Sequence, residues 1–322
     1  MQNLVYAIDK NYNNQLFVSI TSLLDKISVN INIYIIHKDP KTFKPFKDIL
    51  ENNTKINSFK IIKFEHSEFI IDYPSLKNSH VSEVTYYRFF LDKYLPKDIE
   101  QIIYLDADIV CLNDPHPEII KVQSDLIKFN KPLAARTTGL RMKDNDINTQ
   151  SLKMEKLSME GNRYFSAGVL FINYQKWIKD SIFQDLRTLA INLGDKAELH
   201  DQDTLNSYFD SNYLEVNEFL NFRVGKDANI SNNAFIKKNS IFLHYEGNWK
   251  PWTIKGILKE NSFFYTNYFR YLGDGYFHIT HINKRNSLKD LIRSILNASI
   301  FKLDKPINFL IEAAKSFFKY KL

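Results

Sequence analysis

The sequence predicts an α/β fold, a Rossmann-like mixed sheet flanked by helices, for a chain of 322 residues. Through residues 1–110, short apolar runs alternate with segments whose apolar residues recur at helical spacing, as in repeated βα units. The apolar run 101–105 leads directly into Asp106 and Asp108, and open α/β sheets bind ligands at such strand ends. The composition, 44% hydrophobic and 25% charged, excludes a disordered chain and a coiled coil.

The first strands and helices follow from hydrophobic periodicity bounded by turn residues. Residues 4–8, 31–36 and 59–64 are short apolar runs, which predict three strands. Apolar residues at helical spacing over 16–27 predict the first helix, and Pro40 predicts the first turn of the second. Because helices separate these strands, the strands are expected to pair in parallel.

Farther along the chain, the same signals predict a helix that Pro96 ends, two buried strands, a long helix and a last strand. The polar segment 143–162 predicts a loop with a short helix. The predicted helices cover residues 86–95 and 174–193, and the predicted strands cover residues 101–105, 165–173 and 241–245.

The composition becomes aromatic and basic beyond residue 255. We therefore predict two domains, a main domain over 1–255 and an aromatic and basic helical C-terminal extension over 256–322. Two apolar stripes at helical spacing predict the helices of this extension. The stripes are Leu288, Leu291, Ile292, Ile295 and Leu296, and then Phe309, Leu310, Ala313, Ala314, Phe317 and Phe318.

The positive charge of the chain is concentrated at its C-terminal end. The net charge is +6, and residues 283–322 contain nine Lys or Arg against three Asp or Glu. The remaining residues are therefore neutral in sum. A basic end on a neutral body indicates an anionic membrane surface, nucleic acid or simple solvation as its partner.

Several classes of protein find no support in the sequence. The single cysteine, Cys111, cannot form an internal disulfide, so a secreted disulfide-stabilised scaffold is not indicated. The first residues lack the basic and apolar regions of a signal peptide, and no apolar run approaches the ~18 residues of a spanning helix. We therefore expect a cytoplasmic protein. Neither GxGxxG nor GxxxxGK[ST] occurs, so Rossmann dinucleotide binding and a P-loop are not indicated.

Two carboxylates and one imidazole form a candidate metal site. Residues two apart in an extended chain point the same way, so Asp106 and Asp108 present two carboxylates to one spot. Such a pair is unfavourable after an apolar strand unless a cation compensates it. His244 follows another apolar strand, and this ligand set suits Mn²⁺ or Mg²⁺. Gly247 would allow close approach of backbone to a diphosphate, and Lys250 would supply a positive charge.

Each of these residues also has an ordinary structural interpretation. The Asp-x-Asp pattern occurs three times in the sequence and by itself decides nothing. Asp106 and Asp108 would then lie in a solvated loop, and His244 would be a hydrogen-bonded core residue. Gly247 and Lys250 would be a turn glycine and a solvated lysine.

Six motifs in a fixed order make the sequence similar to a known family. In chain order they are AIDKNY, TYYRFFL, IIYLDADIV, YFSAGVLFIN, DQDTLN and HYEGNWKPW. With these motifs the chain resembles glycosyltransferase family eight. The family comprises retaining sugar-nucleotide enzymes, among them lipopolysaccharide galactosyl- and glucosyltransferases and glycogenin. The resemblance covers about residues 1–255 and implies that they form a nucleotide-sugar-binding catalytic domain with a GT-A-type fold.

The resemblance also implies a role for each matching residue. Asp201 and Gln202 match the catalytic residues beneath the donor sugar, and His80 matches an acceptor contact. Ser166 stands where the family motif has Asn, and a hydroxyl cannot reproduce an amide's two-ended hydrogen bonding. The metal ligands are Asp106, Asp108 and His244, and the donor contacts are Ala7, Ile8, Asp9, Asn11, Tyr12, Arg88, Asp106, Ala107, Ser166, Asp201, Gly247 and Lys250.

The implied activity is retaining transfer of galactose or glucose from a UDP-hexose to a glycan or glycolipid acceptor, such as lipopolysaccharide or lipooligosaccharide. Mn²⁺, or Mg²⁺, would stabilise the UDP leaving group. The alternatives are a metal-dependent sugar-nucleotide hydrolase, a family-eight transferase acting on a protein-linked glycan, and a non-enzymatic carbohydrate-binding protein. The basic extension is expected to bind the anionic inner face of the cytoplasmic membrane, and no nucleic acid is expected.

Overall fold

The computed structural model describes residues 1–65, 83–137, 147–225, 227, 232–247 and 250–318. These residues belong to two compact units, each assembled from segments that are distant in the sequence. Unit 1 comprises Met1–Asn13, Ile27–Ala107 and Asp114–Asn221, and unit 2 comprises Asn14–Lys26, Asp108–Asn113 and Phe222–Leu322.

The strands are numbered in chain order. Within the described ranges they are β1 (Gln2–Ile8), β2 (Ile31–His37), β3 (Ile56–Lys63), β4 (Gln101–Leu105), β5 (Ile109–Cys111), β6 (Leu133–Thr137), β7 (Phe165–Asn173), β8 (Leu214–Glu215), β9 (Phe222–Arg223) and β10 (Phe242–His244).

Unit 1 is built on a mixed sheet with the strand order β3-β2-β1-β4-β7-β6-β8. Three pairs of adjacent strands, β3 with β2, β2 with β1 and β1 with β4, are parallel. Strand β6 is also parallel to β8. Strand β7 is antiparallel to both β4 and β6. The side chains of β2 are buried along its whole length, as expected for a central strand covered on both faces. The predicted mixed sheet is therefore confirmed.

Helices separate many of these strands along the chain and continue beyond the last strand. The α-helices of the described residues are Asn13–Lys26, Lys44–Leu50, Leu91–Tyr94, His116–Lys128, Ile147–Lys156, Tyr174–Lys179, Ile182–Leu193, Asp201–Phe209, Asn233–Asn239, Ile254–Ile257, Phe263–Phe269, Lys284–Leu296 and Pro306–Phe318. The 3₁₀ helices are Lys10–Tyr12, Pro40–Phe43, Glu83–Phe90, Gly194–Lys196, Glu218–Asn221, Glu260–Ser262, Arg270–Leu272 and Ser299–Lys302.

Two predicted helices differ in detail from the structure. The helix predicted over 174–193 is two helices, because Ser181 adopts a left-handed conformation with φ of 57°. The helix predicted over 86–95 is a 3₁₀ helix, Glu83–Phe90, followed by one α-helical turn, Leu91–Tyr94. Nearly every side chain of Glu83–Phe90 is buried, so tertiary packing, and not an amphipathic period, decides its conformation.

Unit 2 contains a small sheet in which β10 lies between β5 and β9. Strand β10 is antiparallel to β5 and parallel to β9. The register pairs His244 with Ile109 on one side and with Arg223 on the other. This pairing holds His244 beside the segment that begins with Asp108, because Ile109 directly follows Asp108 in the chain.

The two C-terminal stripes form helices Lys284–Leu296 and Pro306–Phe318, but they have different environments. Phe309 and Ala313 of the second stripe are fully buried in a cluster with Ile254 and other apolar residues of unit 2. The first helix instead buries Ser287 and Ser294 and leaves most of its apolar stripe exposed. In the part of the chain that the structure describes, no helix is both long and apolar enough to cross a membrane.

Candidate active site

A buried arginine joins three segments of unit 1. Arg88 lies in the 3₁₀ helix Glu83–Phe90, and its Nη1 donates a hydrogen bond to the carbonyl oxygen of Ala167 at 2.7 Å. Its Nη2 donates to Asp106 Oδ1 at 2.9 Å, and its Nε lies 3.0 Å from Asp201 Oδ2. The planar guanidinium therefore links the end of β4, the strand β7 and the start of a helix, which a lysine could not do.

The second carboxylate partner of Arg88 lies in an unusual electrostatic environment. Burial raises the pKa of Asp201 to about 6, against the opposing effect of the Arg88 charge. The Thr85 hydroxyl donates a hydrogen bond to Asp201 Oδ1. Both oxygens of this carboxylate are therefore engaged, and at neutral pH the group is mostly ionised.

The side chain of Gln202 is held at both ends. Its Oε1 accepts a hydrogen bond from the backbone N–H of Ala167 at 3.0 Å. Its Nε2 donates to the hydroxyl oxygen of Tyr164 at 3.2 Å. The amide of the predicted catalytic residue therefore has a defined orientation within unit 1.

Two further residues of the DQDTLN motif, for which the sequence alone indicated no role, support this arrangement. Asp203 is fully buried and accepts hydrogen bonds from Tyr164 and from the backbone N–H of Leu199. Asn206 accepts from the backbone N–H of Phe165 at 2.7 Å and donates to the carbonyl of the same residue at 2.9 Å. The signal in the sequence is that these two polar residues stand in the same motif, one and four residues after Gln202.

In unit 2, one carboxylate lies between an imidazole and an ammonium group. Asp108 Oδ1 is 3.2 Å from His244 Nε2, and Lys250 Nζ pairs with Asp108 Oδ2. The backbone N–H of Tyr245 donates to the carbonyl of Asp108 at 3.0 Å. Burial would raise the pKa of Asp108, but Lys250 and His244 hold it well below its ordinary value. The carboxylate is therefore ionised at neutral pH.

The residues present fit a divalent cation. Asp108 offers an ionised and largely buried carboxylate, and His244 offers an imidazole nitrogen next to it. Asp106 precedes Asp108 by two residues, and all three are candidate ligands. Carboxylate oxygens with one imidazole are a donor set that suits Mn²⁺ or Mg²⁺.

Two glycines, Gly247 and Gly256, lie on either side of Lys250 in the chain. Gly247 has φ of 59°, a left-handed conformation that glycine adopts without strain. A Cβ at Gly256 would lie only 1.8 Å from the carbonyl oxygen of Lys250. Thr253 Oγ1 donates to the same carbonyl at 3.0 Å. The backbone of Lys250 is therefore fixed by residues that follow it.

An aromatic cluster holds the next part of the loop. The ring of Trp252 packs against Tyr265 at 5.2 Å and against His278 at 6.2 Å between centroids. The backbone N–H of Thr280 donates to the carbonyl of Trp252 at 2.8 Å. Residues on both sides of position 255 thus support the Lys250 loop, and the domain boundary predicted there stays a prediction.

The AIDKNY motif forms the end of β1 and the short helix after it. Asp9 Oδ1 accepts from the backbone N–H of Asn11 at 2.9 Å and so begins the 3₁₀ helix Lys10–Tyr12. At the adjacent end of β2, His37 Nε2 lies 2.9 Å from Asn13 Oδ1. Burial lowers the pKa of His37 to about 4, so this ring is neutral at physiological pH.

The predicted site residues are thus distributed over both units. Unit 1 brings together Arg88, Asp106 and Asp201 by direct contact, with Gln202 joined to them through Ala167. Unit 2 brings together Asp108, His244 and Lys250. The other donor contacts range from buried to exposed, and His80 lies outside the described residues. Ile8, Asp9, Ala107 and Ser166 are buried, Ala7 and Tyr12 are half-buried, and Asn11 and Gly247 are exposed.

Comparison with known proteins gives one consistent result. The model of the family "Glycosyl transferase family 8" matches residues 3–256. A Haemophilus influenzae protein assigned as a glycosyltransferase is 30% identical over 259 residues, covering 78% of this chain and 72% of that protein. The lipopolysaccharide 1,2-glucosyltransferase of Escherichia coli K12 is 24% identical over 78% of this chain and 72% of its own length.

A solved structure extends the comparison to the fold. The galactosyltransferase LgtC, determined with donor and acceptor sugar analogues, superimposes with a TM-score of 0.66 at 21% identity. The match covers 89% of this chain and all of the LgtC chain. At this identity the likeness establishes the architecture, and it agrees with the GT-A-type fold that the motifs imply.

Proposed function

The chain belongs to glycosyltransferase family 8, and from this premise we propose that it is a retaining transferase of galactose or glucose. The donor is a UDP-hexose, and the acceptor is a glycan or glycolipid of lipopolysaccharide or lipooligosaccharide type. One observation carries the proposal: Asp108 contacts both His244 and Lys250. A carboxylate, an imidazole and an ammonium group at one spot match the needs of a metal-bound diphosphate.

The leaving group of this reaction is UDP, which gains negative charge as the bond between sugar and phosphate breaks. Mn²⁺ or Mg²⁺, held by Asp106, Asp108 and His244, would neutralise part of that charge. Lys250 supplies a further positive charge through an ammonium group whose position Asp108 and Gly256 fix. Charges that the fold holds near the breaking bond would stabilise the developing negative charge more strongly than solvent water does.

Retention of configuration is proposed to proceed by attack on the same face that the UDP leaves. Gln202 matches the residue beneath the sugar, and an amide is a poor nucleophile. Its Oε1 already accepts a hydrogen bond from Ala167, which further disfavours a covalent intermediate on this side chain. The leaving phosphate then accepts the proton of the acceptor hydroxyl. Asp201, ionised beside Arg88, would accept hydrogen bonds from the sugar hydroxyls.

The C-terminal extension is proposed to hold the enzyme on the anionic inner face of the cytoplasmic membrane. Leu288, Ile292 and Leu296 are exposed on one helix, spaced four residues apart. Lys289 and Arg293 are exposed on the same helix, next in sequence to Leu288 and Ile292. An apolar stripe flanked by basic residues suits a membrane interface, and a membrane-embedded glycolipid acceptor would make such binding useful.

One experiment separates the proposed function from its alternatives. The full chain is incubated with a panel of UDP-sugars and Mn²⁺, with and without lipooligosaccharide, and UDP release and product are measured. We expect UDP release that rises with acceptor, and an α-configured product by NMR when the donor is α-linked. UDP release without transfer would indicate a sugar-nucleotide hydrolase, and binding without turnover would indicate a carbohydrate-binding protein. Transfer to a glycoprotein but not to lipooligosaccharide would indicate a protein-linked acceptor.

A further inference from the structure

A chain of hydrogen bonds leads from an ion pair between Lys153 and the buried Asp203 to the amide of Gln202. Lys153 Nζ lies 2.9 Å from Asp203 Oδ1, and the backbone N–H of Leu199 donates to Asp203 Oδ2 at 2.7 Å. The hydroxyl of Tyr164 bonds to the same carboxylate, and it also lies 3.2 Å from Gln202 Nε2. All of these groups belong to unit 1.

The direction of every bond in this chain follows from the chemistry of the groups. A carboxylate paired with a lysine accepts hydrogen bonds and donates none. Tyr164 has one hydroxyl proton, and it is used toward Asp203. The hydroxyl oxygen can therefore only accept from Gln202, so the group facing it must be the NH₂ end of the amide. The carbonyl end is then directed to the N–H of Ala167, in agreement with the 3.0 Å contact there.

The helix that carries Gln202 is also held to β7 by hydrogen bonds that do not involve the Tyr164 hydroxyl. Asn206 bonds to both backbone groups of Phe165, and its Nδ2 lies 2.8 Å from the carbonyl oxygen of Gln202. Through its side chain, Asn206 therefore joins the backbone of the helix to the backbone at the start of β7. The bond from Gln202 to the Tyr164 hydroxyl adds the orientation of the Gln202 side chain.

We propose that Tyr164 is a positioning residue that fixes the orientation of the Gln202 amide beneath the donor sugar. The inference rests on the proposed function, in which Gln202 faces the anomeric carbon. The amide group of an unrestrained glutamine can rotate so that its carbonyl oxygen and its NH₂ group interchange positions, with little loss of hydrogen bonding. The Asp203–Tyr164 pair removes this freedom, so that the same dipole always faces the reacting centre.

The test uses Tyr164→Phe, Gln202→Ala and the double variant, with Tyr213→Phe as the matched control. Tyr213 is also a buried tyrosine of unit 1, and its hydroxyl bonds to Thr137 Oγ1 at 2.6 Å. We expect Tyr164→Phe to lower kcat about tenfold with the donor KM nearly unchanged. The double variant should be no slower than Gln202→Ala alone, because a residue acting through Gln202 has no effect once Gln202 is removed.

A second measurement does not depend on turnover. The side-chain amide protons of Gln202 should exchange slowly in the wild type and in Tyr213→Phe, and faster in Tyr164→Phe, by NMR. Unchanged exchange in Tyr164→Phe, or a double variant that multiplies the two single losses, would overturn the proposal. If the exchange result holds while the wild-type chain transfers no hexose, the orientation of the amide stands and the proposed function fails.

Discussion

Arg88 and Asp201 form an ion pair, Nε to Oδ2 at 3.0 Å, in which both side chains are less than a tenth exposed. Two opposite charges at such depth lose most of their hydration, so neither is tolerated without the other. The pair also fixes the first residue of the DQDTLN helix beside the end of β4, since Arg88 bonds to Asp106 as well. A structural ion pair thereby places three predicted donor contacts, Arg88, Asp106 and Asp201, in one network.

Replacing Arg88 with Met should therefore destabilise the fold strongly. The substitution leaves Asp201 as a buried carboxylate without its cation, and we expect a loss of about 3 kcal/mol in the free energy of unfolding. Arg270→Met is the matched control, because Arg270 forms its pair with Asp304 near the surface at 2.8 Å. That variant should lose less than about 1 kcal/mol. Urea denaturation measures both, and equal losses would contradict the role given to burial.

Replacing Asp108 with Asn should abolish metal-dependent turnover. The change removes the carboxylate charge that faces His244 and Lys250, and we expect the rate to fall by more than about a hundredfold. Asp304→Asn, which removes an exposed carboxylate of unit 2, should keep full activity. UDP release with and without Mn²⁺ measures the effect, and calorimetry measures metal affinity. A fully active Asp108→Asn enzyme, or full activity in excess chelator, would exclude the metal site.

Replacing Gly256 with Ala should weaken donor binding through Lys250. The new Cβ would lie 1.8 Å from the Lys250 carbonyl oxygen, so the backbone that carries the ammonium group must move. The donor KM should rise about tenfold or more, because a displaced charge binds the diphosphate less well. At Gly273, φ is 74° and the space around a Cβ is open, so Gly273→Ala introduces backbone strain alone. An equal rise in KM for both variants would refute the Lys250 argument.

The buried His37 should make the fold less stable in acid. Its pKa is lowered to about 4, first by burial, whereas an unfolded histidine titrates near 6.5. As the pH falls from about 6.5 to about 4, the unfolded chain binds a proton that the folded chain does not, so the free energy of unfolding decreases. Below that range both states are protonated and this contribution levels off. In His37→Asn, the free energy of unfolding from urea titrations should decrease less between pH 7 and 4.5 than in the wild type. An equal decrease in both proteins would contradict the role given to His37.

The exposed stripe of helix Lys284–Leu296 should control binding to anionic vesicles. Ile292→Ser with Leu296→Ser removes apolar contact, and Lys289→Glu with Arg293→Glu reverses two charges, each worth about 1 kcal/mol near the surface. Both double variants should sediment less with vesicles that contain phosphatidylserine, and UDP release from soluble donor should not change. Ile49→Ser with Ile127→Ser, also exposed but in unit 1, is the control. Unchanged sedimentation of the charge-reversed variant would exclude the membrane surface.

The apolar runs in the sequence were enough to predict the α/β sheet and the strands β1 to β4, β7 and β10, but not the strands β5, β6, β8 and β9. Strand β7 has the same bounds as the strand predicted from its apolar run. Asp106, which directly follows β4, was identified because a carboxylate after an apolar run is unusual. The left-handed turn at Ser181 was not predicted, because the apolar period continues through it on both sides. Local periodicity reports which side chains avoid water, and it carries no signal for a single backbone angle.

For the candidate site, too, the sequence predicted some features and not others. Motif order identified Arg88, Asp201, Asp108 and His244 as functional candidates, but their partners are far away in the sequence. Arg88 meets the Ala167 carbonyl, and Lys250 meets Asp108, only because folding brings these segments together.

The sequence by itself determined that this protein has an α/β fold, carboxylates after a buried strand and two amphipathic C-terminal helices. Only the tertiary structure decided that Phe309 is buried while Ile292 is exposed, although both belong to apolar stripes of the same kind. It also decided that the Gln202 amide is held by Tyr164 and Ala167. The physical reason is that an amphipathic pattern states that a face prefers to leave water. Which neighbour covers that face, and which polar groups meet there, depends on contacts between segments distant in the chain.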